Sequence, residues 1–183
     1  MTCLKRYTVL LFVLLSVISP LSAIADSAAE IDRDVDSALQ KLYGSSPAAV
    51  DLAKTAKGVL VYPNVIKAGL VVGGQFGEGA LRVGGKTVGY YNTVAASYGL
   101  QAGAQTFGYA LFFMTDEGLD FLKSSDGWEI GVGPSVVVVD KGAAKSLTTT
   151  TAKDDIYAFF FSQEGLMAGA GLQGSKISRI QPE

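Results

Sequence analysis

Two pairs of adjacent carboxylates, Asp116-Glu117 and Asp154-Asp155, have the residue types that acid/base catalysis or metal binding would require. Side chains that are neighbours in the sequence point in different directions in helices and in strands, so they rarely act on one atom. Both pairs lie where a helix or strand is predicted to begin, and carboxylates there commonly cap a helix or stabilise a turn. We therefore expect these four residues to be structural.

The chain contains no histidine, and its one cysteine, Cys3, lies in a predicted signal peptide. A Ser-His-Asp triad, a thiol nucleophile, histidine acid/base catalysis and the usual zinc site are therefore excluded from the mature chain. We predict a protein that is not an enzyme and that has no cofactor and no metal. An enzyme that uses carboxylates or lysine is the alternative that the composition leaves open.

Two glycine-containing stretches approximate nucleotide-binding motifs. Residues 80–87 end in Gly84-Gly85-Lys86-Thr87, as a phosphate loop does, and residues 169–174 have the Gly-x-Gly-x-x-Gly spacing of a dinucleotide site. Both motifs require a following helix, but a strand is predicted after the first and few residues follow the second. We interpret the first as a hairpin turn and the second as strand positions where another backbone approaches closely.

The first 25 residues have the pattern of a secretory signal peptide. Lys5 and Arg6 precede an apolar run, Pro20 follows it, and Ala23-Ile24-Ala25 provides the small residues that cleavage requires. We predict cleavage near Ala25, before Asp26, and a periplasmic or secreted location, with an uncleaved anchor as the alternative. Without Lys5 and Arg6 the 15 basic residues fall to 13 against 17 acidic ones, and no nucleic-acid partner is expected.

The hydrophobic pattern changes at Gly58. Before it, apolar spacings of three and four predict a helix over residues 27–42, with an acidic outer side, and a second helix that begins at Ser46-Pro47. After it, short apolar runs separated by glycine predict strands, interrupted by one short helix over residues 115–123. We predict one α+β domain over residues 26–183: a glycine-rich antiparallel β-sheet curled toward a barrel, with N-terminal helices and one short inserted helix.

The stretch between Lys86 and Asp116 carries no charge, which also raises a transmembrane helix as an interpretation. Glycine and glutamine recur through it at alternate positions, and this favours buried strands. The many aromatic residues of the strands are expected to form an ordinary sheet core, with the wall of an apolar ligand cavity as the alternative.

Three glycine-rich motifs occur in a fixed order along the chain. They are Gly73-Gly74-Gln75-Phe76-Gly77-Glu78-Gly79, then Gly99-Leu100-Gln101-Ala102-Gly103-Ala104-Gln105, then Gly165-Leu166-Met167-Ala168-Gly169. With these motifs, the chain resembles the SYLF domain family over almost all of residues 26–183. The resemblance implies a binding module without catalytic activity. Eukaryotic members bind membrane phosphoinositides and actin, and bacterial members are mostly exported proteins described as lipid-binding.

Two features differ from the lipid-binding eukaryotic relatives. Their N-terminal amphipathic segment carries basic residues, whereas Asp32, Asp34 and Asp36 surround Arg33 here, so we do not expect a phosphoinositide site on this helix. Export would also remove actin as a natural partner.

We predict that basic residues near the helix-to-sheet junction and the glycine hairpin contact phosphate headgroups, if the fold brings them together. The predicted lipid-binding residues are Lys54, Lys57, Lys67, Arg82 and Lys86, with Tyr62 and Phe76 for apolar insertion. Scattered solvated charges and turn-adjacent core packing are the alternative roles. The predicted function is a non-catalytic phospholipid-binding module of the bacterial cell envelope, with peripheral membrane contact. A structural or protein-interaction module of the periplasm without a lipid ligand is the alternative.

Overall fold

The computed structural model describes residues 26–69, 72–98, 103–139, 147–148, 150–165 and 174–183. The predicted signal peptide (residues 1–25) and the last predicted glycine-rich stretch (residues 166–173) lie outside the described residues. The first four residues of the second family motif, residues 99–102, also lie outside them.

Three helices occur in the described part of the chain: α1 (Ala28–Ser45), α2 (Pro47–Ala53) and α3 (Asp116–Ser124). Each begins at a polar residue that caps its first turn. Ser27 forms a capping box with Glu30, and Ser46 and Thr115 accept hydrogen bonds from the backbones of the helices that follow. These helices are the predicted ones, and none of them is long and apolar enough to cross a membrane.

Eight strands of the described residues form one curled sheet, a half-barrel, in the order β5-β8-β3-β2-β1-β4-β7-β6. They are β1 (Gly58–Gly69), β2 (Val72–Val83), β3 (Lys86–Tyr98), β4 (Gly103–Phe113), β5 (Trp128–Glu129), β6 (Val136–Val139), β7 (Ile156–Gly165) and β8 (Lys176–Ile180). The predicted α+β class and curled sheet are confirmed. One strand pair differs from the prediction, because β6 and β7 are parallel. The connection over residues 140–155 is long enough for the crossover that a parallel pair requires.

Both faces of the sheet carry a hydrophobic core. On one face, the α1 face, Ile31, Val35 and Leu42 of helix α1 pack against side chains such as Val61 and Phe112 of the sheet. On the other, the α3 face, Tyr62, Tyr109, Leu111 and Trp128 pack against Leu119 and Leu122 of helix α3. Sheet aromatics contribute to both cores, as expected.

A β-bulge in β1, between Tyr62 and Val65, divides the long strands into two halves. In the helix-covered half, residues 58–62, 79–81 and 107–113 are all buried. In the glycine-rich half, formed by residues 65–69, 72–77, 93–96 and 103–106, alternate side chains on the α1 face are exposed. The helices therefore cover only part of the α1 face.

Candidate functional site

Two of the predicted lipid-binding lysines have carboxylate partners at the helix-to-sheet junction. Lys54 Nζ lies 2.7 Å from an oxygen of Asp51, and Lys57 Nζ lies 2.9 Å from an oxygen of Asp116. Both pairs are largely exposed, and exposed pairs of this kind contribute little to stability. A phosphate group would have to compete with these carboxylates for either lysine.

Arg82 is held more firmly, because its guanidinium lies under helix α1. Its Nη2 lies 2.8 Å from a carboxylate oxygen of Asp36 and 3.4 Å from one of Asp32, and the side chain is 14% exposed. Asp32 also accepts hydrogen bonds from the hydroxyls of Thr87 and Tyr90 on β3. The predicted acidic outer side of α1 is therefore wrong for Asp32, which together with Asp36 fixes the helix to the sheet.

The other two predicted basic residues lie at opposite ends of the sheet. Lys86 is exposed at the β2–β3 turn, whereas Lys67 lies near the other end of β1. Val59 pairs with Arg82 and is eight positions from Lys67, so the two basic residues are separated by about 26 Å along the strand. The five predicted basic residues therefore do not converge on one surface.

Tyr62 is fully buried and is not available for insertion into a membrane. Its ring lies over β2, and its hydroxyl donates a 3.2 Å hydrogen bond to the backbone carbonyl of Asn92 on β3. A Cβ atom at Gly79 would overlap the carbonyl oxygen of Val61 and lie 2.9 Å from the Tyr62 ring. The last glycine of the first family motif thus makes room for this strand-spanning tyrosine.

Phe76, in contrast, is 50% exposed and belongs to a row of apolar side chains on the α1 face. Phe76 pairs with Ile66 on β1 and with Val94 on β3, which are 52% and 45% exposed. We call Ile66, Phe76 and Val94 the apolar patch. Small exposed residues form the next row on the same face: Ala68, Gly74, Ala96 and Ala104. Large side chains rarely form such a row on a free surface without a partner.

A row of polar residues lies on the opposite face of the same strands. Lys67 pairs with Gln75 on β2 and with Gln105 on β4, and both glutamines are only 5% exposed. Gln75 Nε2 and Gln105 Oε1 have no hydrogen-bond partner among the described residues. Buried amide groups without partners are costly, so each of these two atoms is available to a further hydrogen-bond partner. We call these three residues the polar row.

Two further polar groups lie near the polar row. Burial raises the pKa of the Tyr109 hydroxyl far above its usual value, and the neighbouring Thr93 hydroxyl offsets this only in part. Tyr109 therefore keeps its proton at any physiological pH and stays a hydrogen-bond donor. The interior next to the polar row is thus polar but uncharged.

Two adjoining cavities lie on the α1 face beside β7. The larger, of about 640 Å³, is lined mainly by apolar side chains of α1, α2, β6 and β7, among them Leu42, Ala48, Val139 and Phe159. The smaller, of about 210 Å³, is polar and is lined by side chains that include Lys41. The structure thus contains the apolar cavity that the aromatic residues suggested as an alternative.

Three of the residues that the sequence indicated as structural, Asp155, Gly84 and Gly85, have structural roles. The Asp155 carboxylate accepts hydrogen bonds from the backbone and hydroxyl of Ser135 and from the hydroxyl of Thr115. Gly84 and Gly85 have φ values of 57° and 78°, as a tight hairpin turn requires. No cluster of three or more metal-ligating side chains occurs within the described ranges.

Residues 94–182 match the family model described as "Ysc84: Las17-binding protein actin regulator", which is the SYLF domain. These residues belong to the SYLF family. The second and third glycine-rich motifs lie within the matched residues, and the first precedes them. The match confirms the family that the motifs indicated, and SYLF domains are binding modules. No curated protein matches the chain.

Proposed function

We propose that the protein is a non-catalytic phospholipid-binding module of the bacterial cell envelope, which contacts a membrane surface with its glycine-rich half. The apolar patch of Ile66, Phe76 and Val94 is the observation that carries the proposal. Three large apolar side chains stand side by side on the α1 face beyond the helices, and all three are about half exposed. A lipid bilayer offers such a row the apolar environment that it lacks in water.

Burial of apolar area supplies most of the binding free energy in this proposal. Inserting the exposed half of the Phe76 ring would contribute about 2 kcal/mol, which is about thirtyfold in affinity. Lys176, whose Cα pairs with that of Val94, adds one positive charge at the edge of the apolar patch. Because apolar area supplies most of the binding free energy, we expect salt to weaken the binding only slightly.

The polar row provides a place for the phosphate group of a lipid at the same end of the sheet. Lys67 supplies a positive charge, and the side-chain amides of Gln75 and Gln105 flank it. No carboxylate lies within ion-pair distance of Lys67 among the described residues, in contrast to Lys54, Lys57 and Arg82. Of the five predicted basic residues, Lys67 is therefore our choice for headgroup contact.

The proposal includes export to the periplasm or the exterior. The signal-peptide pattern ends at Ala25, and Ser27, two residues later, caps the N-terminus of helix α1. Actin, which the family description names, is not expected as a partner of an exported protein. The mass of the purified protein tests this part, with a chain that begins at Asp26 as the expected result.

Co-sedimentation with vesicles tests the proposed function. The processed protein, residues 26–183, is mixed with phosphatidylcholine vesicles, or with vesicles that also contain phosphatidylglycerol, at low and high salt. Two substitutions on β3 form a matched pair, Val94→Asp in the apolar patch and Val88→Asp outside it, because both valines are 45% exposed. We expect Val94→Asp to abolish sedimentation with vesicles and Val88→Asp to leave it unchanged.

Two results would contradict the proposal. Equal loss of binding in both variants would show that the apolar patch has no special role. No binding of the unmodified protein to either vesicle type would favour the alternative function, a structural or protein-interaction module of the periplasm, with the apolar patch as a protein contact.

A further inference from the structure

The two cavities on the α1 face form one site with an apolar and a polar part. They share Phe161 and Ser162 of β7, so they adjoin each other along the side of helix α1. The apolar part, about 640 Å³, lies in the size range of small-molecule sites, and the polar part adds about 210 Å³. A ligand that fills both parts must be amphiphilic.

The backbone at the junction of the two parts is in an unusual conformation. Ser162 has a φ of 51°, and it is the one residue other than glycine with a positive φ in the described part of the chain. It lies in a bulge of β7, where the pairing with β4 shifts between Thr106 and Gly108. A side chain in this conformation destabilises the fold, and such positions cluster at ligand sites.

The bulge also sets the floor of the site. Phe161 pairs with Gly108, and its ring occupies the space that a side chain at Gly108 would fill. The ring thereby lies against β4, is only 8% exposed, and lines both parts of the site. A glycine on one strand and a bulge on its neighbour therefore both lie at this site.

The charges around the site favour an anionic head group. Asp34 lines the polar part and Asp51 the apolar part, but each carboxylate lies beside a basic residue of its own. Asp34 is 3.4 Å from Arg33, and Asp51 is 2.7 Å from Lys54. Lys41 lines the polar part and has no ion-pair partner among the residues described, so its charge is free for a ligand.

We propose that the paired cavities bind a fatty acid, with its hydrocarbon chain in the apolar part and its carboxylate beside Lys41. Ser37, Asn64 and Ser162 also line the polar part and bring further polar groups to the carboxylate. This site is distinct from the apolar patch, and the proposal goes beyond membrane contact because the ligand is a single molecule taken out of water.

Calorimetric titration of the processed protein with decanoate and with 1-decanol tests the proposal. The two probes have the same chain length and differ in head-group charge. We expect one decanoate per protein chain and weaker binding of 1-decanol. Lys41→Gln should weaken decanoate binding about fivefold and leave 1-decanol unaffected, while Lys123→Gln, an exposed lysine at the end of helix α3 and outside the site, should change neither.

A second pair of substitutions tests the cavity itself. Ser45 and Ser124 are both exposed and each ends a helix, but only Ser45 lines the apolar part. Ser45→Trp should prevent binding of both probes, and Ser124→Trp should leave binding intact. Thr148→Trp, on the opposite wall, is the second blocking variant should Ser45→Trp fail to fold.

The outcomes separate this proposal from the proposed function. Absence of saturable decanoate binding, or full binding in folded Ser45→Trp and Thr148→Trp, would overturn the fatty-acid site and leave vesicle binding untouched. An equal effect of Lys41→Gln on both probes would overturn the placement of the carboxylate. Decanoate binding without vesicle binding would overturn only the proposed membrane contact.

Discussion

The helix-covered half and the glycine-rich half of the sheet use the same four strands in opposite ways. In the helix-covered half, helix α1 packs on one face and helix α3 on the other, and Arg82 is paired with two carboxylates of α1. In the glycine-rich half, Phe76 is half exposed and two buried glutamines have unpartnered atoms among the described residues. The first half is packed like a protein interior, whereas the second presents exposed apolar side chains and, among the described residues, buried polar atoms without partners.

This difference changes which charges are candidates for binding. A basic residue that forms ion pairs with carboxylates of its own chain, as Arg82 does with Asp32 and Asp36, is less available to a ligand. Lys67 lies instead between two neutral amides. Whether a basic residue can bind a ligand therefore depends more on its distance from the carboxylates of the same chain than on whether it is lysine or arginine.

The largest predicted effect distinguishes two glycines of the same strand. Gly79→Ala would place a Cβ atom against the carbonyl oxygen of Val61, whereas a Cβ atom at Gly74 meets its nearest neighbour at 3.8 Å. We expect Gly79→Ala to lower the free energy of unfolding by about 3 kcal/mol and Gly74→Ala to change it little. Urea denaturation measures both. Equal tolerance of the two substitutions would contradict the division into halves.

A second prediction concerns the ion pairs beneath helix α1. Arg82→Met should lower the free energy of unfolding by about 2 kcal/mol, because two charge-assisted contacts to α1 are lost. Lys86→Met, four residues away and exposed, is the control and should have almost no effect. Vesicle binding should be the same in both folded variants. Loss of vesicle binding in Arg82→Met but not in Lys86→Met would show that Arg82 contributes to lipid binding.

In the glycine-rich half, stability and binding should change in opposite directions. Gln105→Leu replaces a buried amide that has an unpartnered oxygen among the described residues, so the free energy of unfolding should rise by about 1 kcal/mol. Affinity for phosphatidylglycerol vesicles should fall about fivefold, since one hydrogen-bonding group is lost. Thermal denaturation and co-sedimentation of the same preparation measure the two effects. A loss of stability would show that the amide serves the fold.

The smallest effect is a dependence of stability on pH in the helix-covered half. Hydrogen bonds from Ser135 and Thr115 lower the pKa of Asp155 below its usual value of 3.8. The resulting stabilisation is present above pH 3.8 and is lost as the pH falls through the lower pKa of the folded state. Because the carboxylate is near solvent, we expect less than about 1 kcal/mol.

Melting temperatures of the unmodified protein and Asp155→Asn, compared between pH 7 and pH 2, measure this contribution. The unmodified protein should melt higher at neutral pH, and the difference should shrink in acid. A difference that stays constant with pH would mean that the ionised form of Asp155 is not the stabilising one.

Features that depend on nearby residues could be predicted from the sequence. The caps Ser27, Ser46 and Thr115 and the hairpin turn at Gly84-Gly85 are local signals, and the structure contains all of them. The parallel pairing of β6 with β7 could not be predicted, because it depends on a long connection whose direction no local pattern specifies.

The site was only partly predictable for the same reason. Phe76 was predicted to be available for insertion and is exposed, whereas Tyr62 is buried by its hydrogen bond to the backbone of Asn92, thirty residues away. The partners of Arg82 lie 46 and 50 residues from it in the sequence. Ile66 and Val94 flank Phe76 only in the folded sheet, so no pattern within one strand could have identified the apolar patch.

A fluorescent reporter in the apolar patch measures membrane contact of the glycine-rich half directly. Trp128, the one tryptophan of the chain, is 2% exposed on the α3 face, so its emission should not respond to vesicles. In Phe76→Trp, we expect a blue shift of tryptophan emission on addition of vesicles and quenching by brominated lipid chains. Val88→Trp, on the same sheet outside the patch, should show neither. Identical responses from the two variants, or no response from Phe76→Trp, would contradict membrane contact through the glycine-rich half.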